Sequence, residues 1–294
     1  MRILVTGAKG QLGRELVHVL NTAASDIGSI GMAYLNAEIT ETDIDEADIG
    51  NADVVNTLLQ VEQPEIIFNC AAMTNVDGCE TDYQGAMRGN AMGPGNLAVA
   101  AEKIGAKLVH ISTDYVFPGD GEVPYCEWDT CNPKTVYGKS KLLGEQYVLQ
   151  RSSQSFIIRT SWLYGAWGNN FVKTMLKLGK EQSEIKVVDD QRGNPTNAND
   201  LVHHMLKIAL TKNYGIYHCS GEGECSWYDF SVKIMELAGL SCKVNPCTSA
   251  EFLRPAPRPK FSSLDNLMLK TTVGNEMRPW QDALKNYLEK VTEN

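Results

Sequence analysis

Met1-Arg-Ile-Leu-Val-Thr-Gly7-Ala-Lys-Gly10-Gln-Leu-Gly13 is the stretch that decides the fold. A hydrophobic, strand-like run at 2–6 leads into three glycines spaced G-x-x-G-x-x-G, and a helical pattern follows at once. In such a unit one glycine permits a tight turn, one lets the backbone approach a pyrophosphate, and one lets the helix pack on the strand. A plain βα turn is the alternative. The position between a strand and a helix favours a dinucleotide site at Gly7, Gly10 and Gly13.

The rest of the chain alternates between strand-like and helical patterns. Strand-like runs recur at 65–70, 107–112, 155–160, 185–188 and 215–219, and amphipathic stretches at 84–104, 138–150, 170–181 and 199–211. Strands that alternate with helices of this length indicate right-handed βαβ units. We therefore predict an α/β fold with a doubly wound, Rossmann-type parallel sheet. The second strand should lie within 22–50, a long acidic stretch.

The last third of the chain has a different pattern. Helices are predicted at 226–238 and from Pro279 onward, whereas the proline-rich segment 253–259 excludes a regular helix or central strand. We predict a dinucleotide-binding domain at 1–165, to which 185–219 returns. A smaller C-terminal α/β substrate domain is predicted at 220–294, with a contribution from 166–184.

Composition narrows the function. A net charge of −9 argues against a nucleic-acid partner, and no apolar run approaches the length of a membrane span. The N-terminus has no secretory apolar segment, and the eight cysteines include no CxxC pair. We expect a cytoplasmic protein with reduced, mostly buried thiols rather than a zinc site.

Residues after the second and third strands extend the expected cofactor site. Asp43 is our choice for the acid that binds the adenosine ribose, and Asp48 and Ile49 would then flank the adenine. A merely solvated acid is the alternative for Asp43, which lies beyond the usual offset of about 20 residues. The run Ala72-Met73-Thr74, with its small side chains, would let the cofactor lie across the third strand's end, unless it only packs the strand.

Hydroxyl and amine groups converge in the middle of the chain. Thr113 follows a strand, at the edge where open α/β sheets bind ligands, and Tyr137-Gly-Lys-Ser-Lys141 opens a helix. Residues four apart share a helix face, so Tyr137 and Lys141 can act on one substrate atom. In the reduction of a ketone, Tyr137 would donate the proton. Lys141 would lower the tyrosine pKa and hold the nicotinamide ribose, and Thr113 would orient the carbonyl. For a lone Tyr-x-x-x-Lys the alternative is a solvent-facing helix start.

Together these motifs resemble the extended short-chain dehydrogenase/reductases, and within them the dTDP-4-dehydrorhamnose reductase family. The resemblance implies that NADPH or NADH reduces the 4-keto group of dTDP-4-dehydro-L-rhamnose, a nucleotide-sugar, in a monomer or homodimer. The stretches that carry it cover most of the chain: Gly7–Gly13, Asn69–Asp77, Ser112–Gly119, Tyr137–Glu145, Arg159–Tyr164, Asn169–Met175, Asp190–Thr196 and Arg258–Leu264.

The resemblance also assigns individual residues. Gly10, Gln11 and Leu12 would contact the dinucleotide phosphates, with Ala72, Met73 and Thr74 further along the cofactor. Substrate binding is implied for Thr113, Asp114, Trp162, Asn169, Asn170 and Arg258, the last as a diphosphate clamp. A core aromatic is the alternative for Trp162, and a surface charge in a proline-rich loop for Arg258.

Some features depart from the family pattern. Met73 stands where histidine is usual, Ser263 stands where a basic residue is usual, and 22–42 is longer than expected. Some family members dimerise through Mg²⁺ held partly by the acid that matches Glu15. Mg²⁺ is therefore implied by resemblance alone, and no metal ligands are assigned.

Two other functions remain open. The nearer is an epimerase or dehydratase on the same scaffold; such dehydratases carry Thr-Asp-Glu with the glutamate as base, where this chain has Tyr115. The other is non-catalytic, because related chains serve as regulatory subunits of methionine adenosyltransferase. Intact Thr113, Tyr137 and Lys141 count against that role, although motifs do not prove turnover.

Overall fold

The computed structural model describes residues 1–292. Its strands are β1 (Arg2–Thr6), β2 (Glu38–Thr42), β3 (Ile66–Asn69), β4 (Lys107–Thr113), β5 (Ser155–Thr160), β6 (Leu163–Tyr164), β7 (Glu184–Val188), β8 (Arg192–Gly193), β9 (Thr196–Asn197), β10 (Gly215–His218), β11 (Cys225–Ser226) and β12 (Lys243–Cys247). Its helices are α1 (Gln11–Thr22), α2 (Ala52–Glu62), α3 (Val76–Thr81), α4 (Tyr83–Met87), α5 (Gly93–Ile104), α6 (Val136–Arg151), α7 (Phe171–Glu181), α8 (Ala198–Ala209), α9 (Trp227–Leu237), α10 (Leu267–Thr272) and α11 (Trp280–Thr292). A π-helical segment, Arg88–Met92, joins α4 to α5.

The central sheet has the strand order β2-β1-β3-β4-β5-β10, and all its neighbouring strands are parallel. The chain runs from β1 outward to β2 and then returns to place β3 on the other side of β1. Strand order therefore reverses at β1, and open α/β sheets bind ligands at the carboxyl ends of strands beside such a switch point. The predicted doubly wound, Rossmann-type fold is confirmed.

Strand β1 is apolar on both faces because helices cover both sides of the sheet. Ile3 and Val5 pack in one cluster with residues of α1 and α8, whereas Leu4 packs in another with residues of α2 and α5. Successive side chains of a strand point to opposite faces, so three neighbouring residues join two cores. A parallel strand buried on both faces has this continuous apolar pattern.

A third hydrophobic cluster forms the core of the C-terminal part. Val172 of α7, Ile185 of β7, Phe230 of α9 and Leu284 of α11 pack together there. Strand β7 pairs in parallel with β12 in a separate two-stranded sheet, whereas β10 forms one edge of the central sheet. The predicted domain boundaries at 165 and 220 stay a prediction.

Strand β2 lies within 22–50, where the second strand was expected without bounds, whereas α2, α3, α10, β12 and the two-residue strands β6, β8, β9 and β11 were not predicted. Strand β2 lies at the sheet edge and carries Glu and Thr among its five residues, so it lacks the apolar run of a central strand. Helix α2 is capped by Asn51, whose side chain accepts the N–H groups of Asp53 and Val54. Between α1 and β2 the buried Tyr34 donates its hydroxyl to the carbonyl of Leu206, so part of the long acidic stretch packs on α8.

All eight cysteines are free thiols, and five of them are buried. This agrees with the expected reduced, mostly buried state. Within residues 1–292, every helix is too short or too polar to cross a lipid bilayer.

Candidate active site

A cavity of about 860 Å³ lies at the carboxyl ends of β1, β3, β4 and β5. The glycine turn after β1 lines it through Gly10, Gln11 and Leu12, and the other strands contribute their final residues and following loops. The opposite wall comes from the C-terminal part, through Val187, Val188, Trp227, Arg254 and Arg258 among others. The cavity therefore lies between the central sheet and the third hydrophobic core.

The glycine turn fits a dinucleotide phosphate. Gly7 has φ +69°, and a Cβ there would lie 2.5 Å from the backbone nitrogen of Ala71. A Cβ on Gly13 would lie 2.2 Å from the carbonyl oxygen of Gly7, so the helix packs closely on the turn. Gly10 precedes α1 without a side-chain cap, which leaves the first N–H groups of the helix free for an anion.

The structure places Asp43 directly after β2, beside this turn. Its Oδ2 accepts the backbone N–H of Lys9 at 2.9 Å and its Oδ1 accepts that of Ile44 at 2.8 Å. Asp48 forms an ion pair with Arg88, and Ile49 is buried in the cluster between the sheet, α2 and α5. The cavity is not lined by Asp43, Asp48 or Ile49, and their contacts with an adenosine stay a prediction.

The loop after β3 is held by a buried residue that the sequence interpretation missed. Asn90, in the π-helical segment, accepts the N–H of Met73 at 2.8 Å and donates to its carbonyl at 3.1 Å. The same amide donates to Ser140 Oγ on α6 at 3.0 Å. Asn90 thus ties the predicted cofactor loop to the helix of Tyr137. Ala72 and Thr74 line the cavity, whereas Met73 does not.

The structure brings the three predicted catalytic residues to one wall of the cavity. Thr135 caps α6 by accepting the N–H of Gly138 at 3.0 Å, which places Tyr137 in the first turn and Lys141 one turn later. Both side chains are buried, and both line the cavity with Thr113. The Lys141 ammonium donates to the carbonyl of Ile111, at the end of β4, at 2.5 Å.

Burial dominates the electrostatics of this group. It raises the pKa of Tyr137 well above its ordinary value, and the hydrogen bond with Thr113 opposes that rise. Burial also lowers the pKa of Lys141 to about 8, against the attraction of Glu145. We expected Lys141 to lower the tyrosine pKa, but its ammonium is directed to a backbone carbonyl. The phenol of Tyr137 therefore keeps its proton at neutral pH, as a proton donor must.

Asp114 adds a buried acceptor to the same wall. Its Oδ1 accepts the hydroxyl of Thr113 at 2.9 Å, and its Oδ2 makes no hydrogen bond of good geometry within the described chain. Burial raises the pKa of Asp114 to about 6. A buried acceptor with a free lone pair suits a ligand hydroxyl, because an unmatched buried polar atom is unfavourable.

Trp162 lines the cavity in a strained conformation. Its φ is +46°, in the left-handed region that a bulky residue rarely adopts. Its indole stacks on that of Trp227, with ring centres 3.5 Å apart and planes inclined by 6°. A strained residue at a cavity wall is typical of a site where orientation matters more than local stability.

Asn169 and Asn170 differ in their position relative to the cavity. Asn169 lines the cavity, whereas Asn170 caps α7 by accepting the N–H of Lys173 at 3.1 Å. The Asn170 amide also donates to Gln11 Oε1 at 3.0 Å, so it connects the glycine turn to the C-terminal core. Its position favours a supporting role behind the cavity wall.

Two arginines line the cavity rim. The guanidinium of Arg258 donates to both oxygens of Asp77, at 2.9 and 2.8 Å, and this pairing lowers the pKa of Asp77. The guanidinium of Arg254 lies 4.9 Å from the ring centre of Phe252. Arg258 is therefore in reach of a cavity ligand, but its guanidinium already donates two hydrogen bonds to the carboxylate of Asp77.

The acid that matches the family's magnesium ligand has a protein partner. Glu15 is buried and accepts the side-chain amide of Asn199 at 2.6 Å. Within residues 1–292, no three or more His, Cys, Asp or Glu side chains come together in a group able to hold a metal ion. Mg²⁺ stays an implication of the resemblance alone.

An open parallel sheet with a glycine turn at its switch point, and a buried Tyr-x-x-x-Lys pair beside it, defines a nicotinamide-dependent oxidoreductase of the extended short-chain type. The comparisons with known proteins narrow this class. The family model "RmlD substrate binding domain" matches residues 1–293, and the chain belongs to this family.

Three similar proteins carry one name, dTDP-4-dehydrorhamnose reductase. The protein from Aggregatibacter actinomycetemcomitans is 41% identical, over 97% of this chain and 97% of its own length. The crystal structure from Clostridium acetobutylicum is 48% identical, with a TM-score of 0.93, and covers 99% of this chain and 100% of its own. The Bacillus anthracis structure, in complex with NADP, is 42% identical with a TM-score of 0.92, over 98% and 99% of the chains. The resemblance read from the sequence is confirmed.

The buried lysine gives a stability test with a defined pH window. Lys141 binds its proton in the unfolded chain up to about pH 10.5 but in the fold only up to about pH 8. Between these values the unfolded state binds more protons, so wild-type stability rises with pH. The difference corresponds to about 3 kcal/mol at pH 7. We expect Lys141→Met to be more stable than wild type at pH 7 by up to that amount.

Urea unfolding at several pH values measures the effect. The advantage of Lys141→Met should shrink as the pH rises from about 8 toward 10.5. Lys139→Met, at an exposed position of the same helix, is the matched control. A stability difference that does not change with pH would contradict the buried, weakened ammonium.

Proposed function

We propose that the chain reduces the 4-keto group of dTDP-4-dehydro-L-rhamnose to give dTDP-L-rhamnose, with NADPH or NADH as the cofactor. The observation that carries the proposal is the buried phenol of Tyr137 beside Thr113 and Lys141 in the large cavity. The names of the three similar proteins, and the NADP bound to one of them, support the substrate and the cofactor.

The proposed reaction assigns one task to each residue. When bound, the cofactor supplies the hydride to C4 of the sugar. The Thr113 hydroxyl holds the keto oxygen in place, and Tyr137 donates its proton to that oxygen, which leaves a phenolate. Lys141, one helical turn further on, stabilises the phenolate until a proton returns from solvent. The raised pKa of Tyr137 suits this order, because the proton leaves only as an alkoxide develops.

The cavity walls support a nucleotide-sugar rather than a smaller ketone. Asp114 offers an acceptor to a sugar hydroxyl, and Trp162, which stacks on Trp227 through one face of its indole, is proposed to contact the deoxysugar with the remainder of its ring. Arg258 is proposed as the diphosphate clamp, in which case the diphosphate must share its guanidinium with Asp77. We also propose that the protein is cytoplasmic and that it is a monomer or a homodimer.

A dehydratase or epimerase is the second candidate on this scaffold. Dehydration needs a base beyond Tyr137 that can reach another substrate atom. Tyr115 stands where the dehydratases carry glutamate, and burial raises the pKa of its hydroxyl well above the ordinary value. A phenol that keeps its proton at neutral pH cannot accept a proton from the substrate, which favours the reductase.

The direct test follows absorbance of NADPH or NADH with dTDP-4-dehydro-L-rhamnose, freshly made by the upstream epimerase. We expect one cofactor oxidised for each sugar reduced. A reductase must release oxidised cofactor at every turnover, so the isolated protein should carry little nucleotide. Tightly bound cofactor without net oxidation of NAD(P)H would restore the epimerase or dehydratase. A protein that neither oxidises NAD(P)H nor carries bound cofactor would favour the regulatory role.

Tyr137→Phe tests the proton donor. We expect kcat to fall by about two to four orders of magnitude, the usual contribution of a general acid, while cofactor binding survives because the ring remains. Tyr115→Phe is the matched control, since this second tyrosine lines the same cavity and its ring centre lies 5.5 Å from that of Tyr137. Equal losses of kcat in the two variants would remove Tyr137 from its proposed role.

Asp43→Ala tests the ribose contact. A carboxylate beside the glycine turn repels the 2′-phosphate of NADPH and accepts a hydrogen bond from the 2′-hydroxyl of NADH. It therefore favours NADH in an enzyme that we expect to use both cofactors. The ratio of kcat/KM for NADPH to that for NADH should therefore rise in Asp43→Ala. Asp45→Ala, which removes an exposed acid two residues further on, should leave the ratio unchanged. If the two variants behave alike, Asp43 does not contact the ribose.

A further inference from the structure

A buried ion pair fastens the catalytic helix to the sheet. Glu145 of α6 is 1% exposed and Arg159 of β5 is 2% exposed. The guanidinium donates from Nε to Oε1 at 3.0 Å and from Nη2 to Oε2 at 2.7 Å. Ser112 of β4 adds a third donor to Oε1 at 2.5 Å. The carboxylate of Glu145 is thus fixed from two neighbouring strands.

Glu145 continues the spacing of the catalytic residues. Tyr137, Lys141 and Glu145 follow one another at intervals of four, which places them on one face of α6. Fixing the carboxylate therefore fixes the rotation of the helix about its axis. The two residues ahead of it are then held toward the cavity that they line.

The carboxylate of Glu145, which forms the ion pair with Arg159, also favours the ammonium of Lys141. Cys70, after β3, has a pKa raised to about 12 by burial, so its thiol is neutral. His110, on β4, has a pKa that burial lowers well below its ordinary value, so its ring is neutral as well. Arg159 of β5 faces Glu145. The negative charge that favours the ammonium of Lys141 thus comes from Glu145.

We propose that Glu145 is a positioning residue, whose fixed carboxylate sets the rotation of α6 and places a negative charge beside the ammonium of Lys141. The catalytic consequence rests on the proposed function, but the effect on Lys141 does not. A purely structural ion pair would stabilise the fold without altering the titration of the lysine. The two roles therefore differ in a measurable property.

The test is the pH titration of the ¹³Cε resonance of Lys141 in lysine-labelled protein, assigned as the signal that Lys141→Met removes. In Glu145→Gln we expect the titration midpoint to fall by about one pH unit, since an opposite charge nearby typically shifts a pKa by about 1–3. Glu145→Asp retains the charge and should keep the midpoint near that of wild type. A midpoint unchanged in Glu145→Gln would overturn the proposal.

Two further variants separate charge from stability. Asp200→Asn breaks another buried ion pair, in which Arg278 is the partner, and should lower the melting temperature without moving the Lys141 midpoint. Glu145→Gln combined with Arg159→Met does not leave the guanidinium of Arg159 buried without a carboxylate, and it should still lower the midpoint. If Glu145→Gln fails to fold, the double variant decides the question.

Turnover gives a second readout. In Glu145→Gln the alkaline limb of the kcat/KM profile should move to lower pH by the same interval as the lysine midpoint. If wild type does not reduce the nucleotide-sugar, the proposed function fails while the resonance titration still judges Glu145. If the midpoint moves but the alkaline limb does not, Lys141 is not the group whose charge turnover requires, and the catalytic part of the proposal is overturned.

Discussion

At Gly7 the chain passes so close to the backbone after β3 that no side chain fits between them. This contact brings the turn after β1 and the loop after β3 together at the point where strand order reverses. The helix that follows packs on the same turn through Gly13, so its uncapped N-terminus begins at the edge of the sheet. The end of the cavity that Gly10, Gln11 and Leu12 line depends on this close approach.

Much of this arrangement could be predicted because local patterns specify it. The apolar run of β1, the glycine spacing and the four-residue interval from Tyr137 to Lys141 each depend on near neighbours in the chain. Strand β2 could be expected within 22–50 but not located there, because an edge strand with polar residues has no clear apolar pattern. Helix α2 was missed although the sequence carries its signal, because Asn51 is a good capping residue and Val54, Val55, Leu58 and Leu59 follow it at helical spacing.

The features of the site that the sequence did not predict depend on contacts between residues far apart in the chain. The hydrogen bonds of Asn90 join residues 17 and 50 positions apart, and no local pattern indicates a π-helical segment. Glu145, by contrast, could have been found, because it repeats the interval of four from Lys141. The direction of the lysine ammonium could not be read from spacing alone. Helix geometry places Lys141 on the correct face, but only the surrounding atoms show that it reaches the carbonyl of Ile111.

The stacked indoles of Trp162 and Trp227 have a spectroscopic consequence. One ring follows β5 of the central sheet, and the other begins α9 of the third core, so the pair spans the two sides of the cavity. Two chromophores in nearly parallel contact couple their electronic transitions. We therefore expect an exciton contribution to the far-ultraviolet circular dichroism, which would report how the two cores are juxtaposed without any added label.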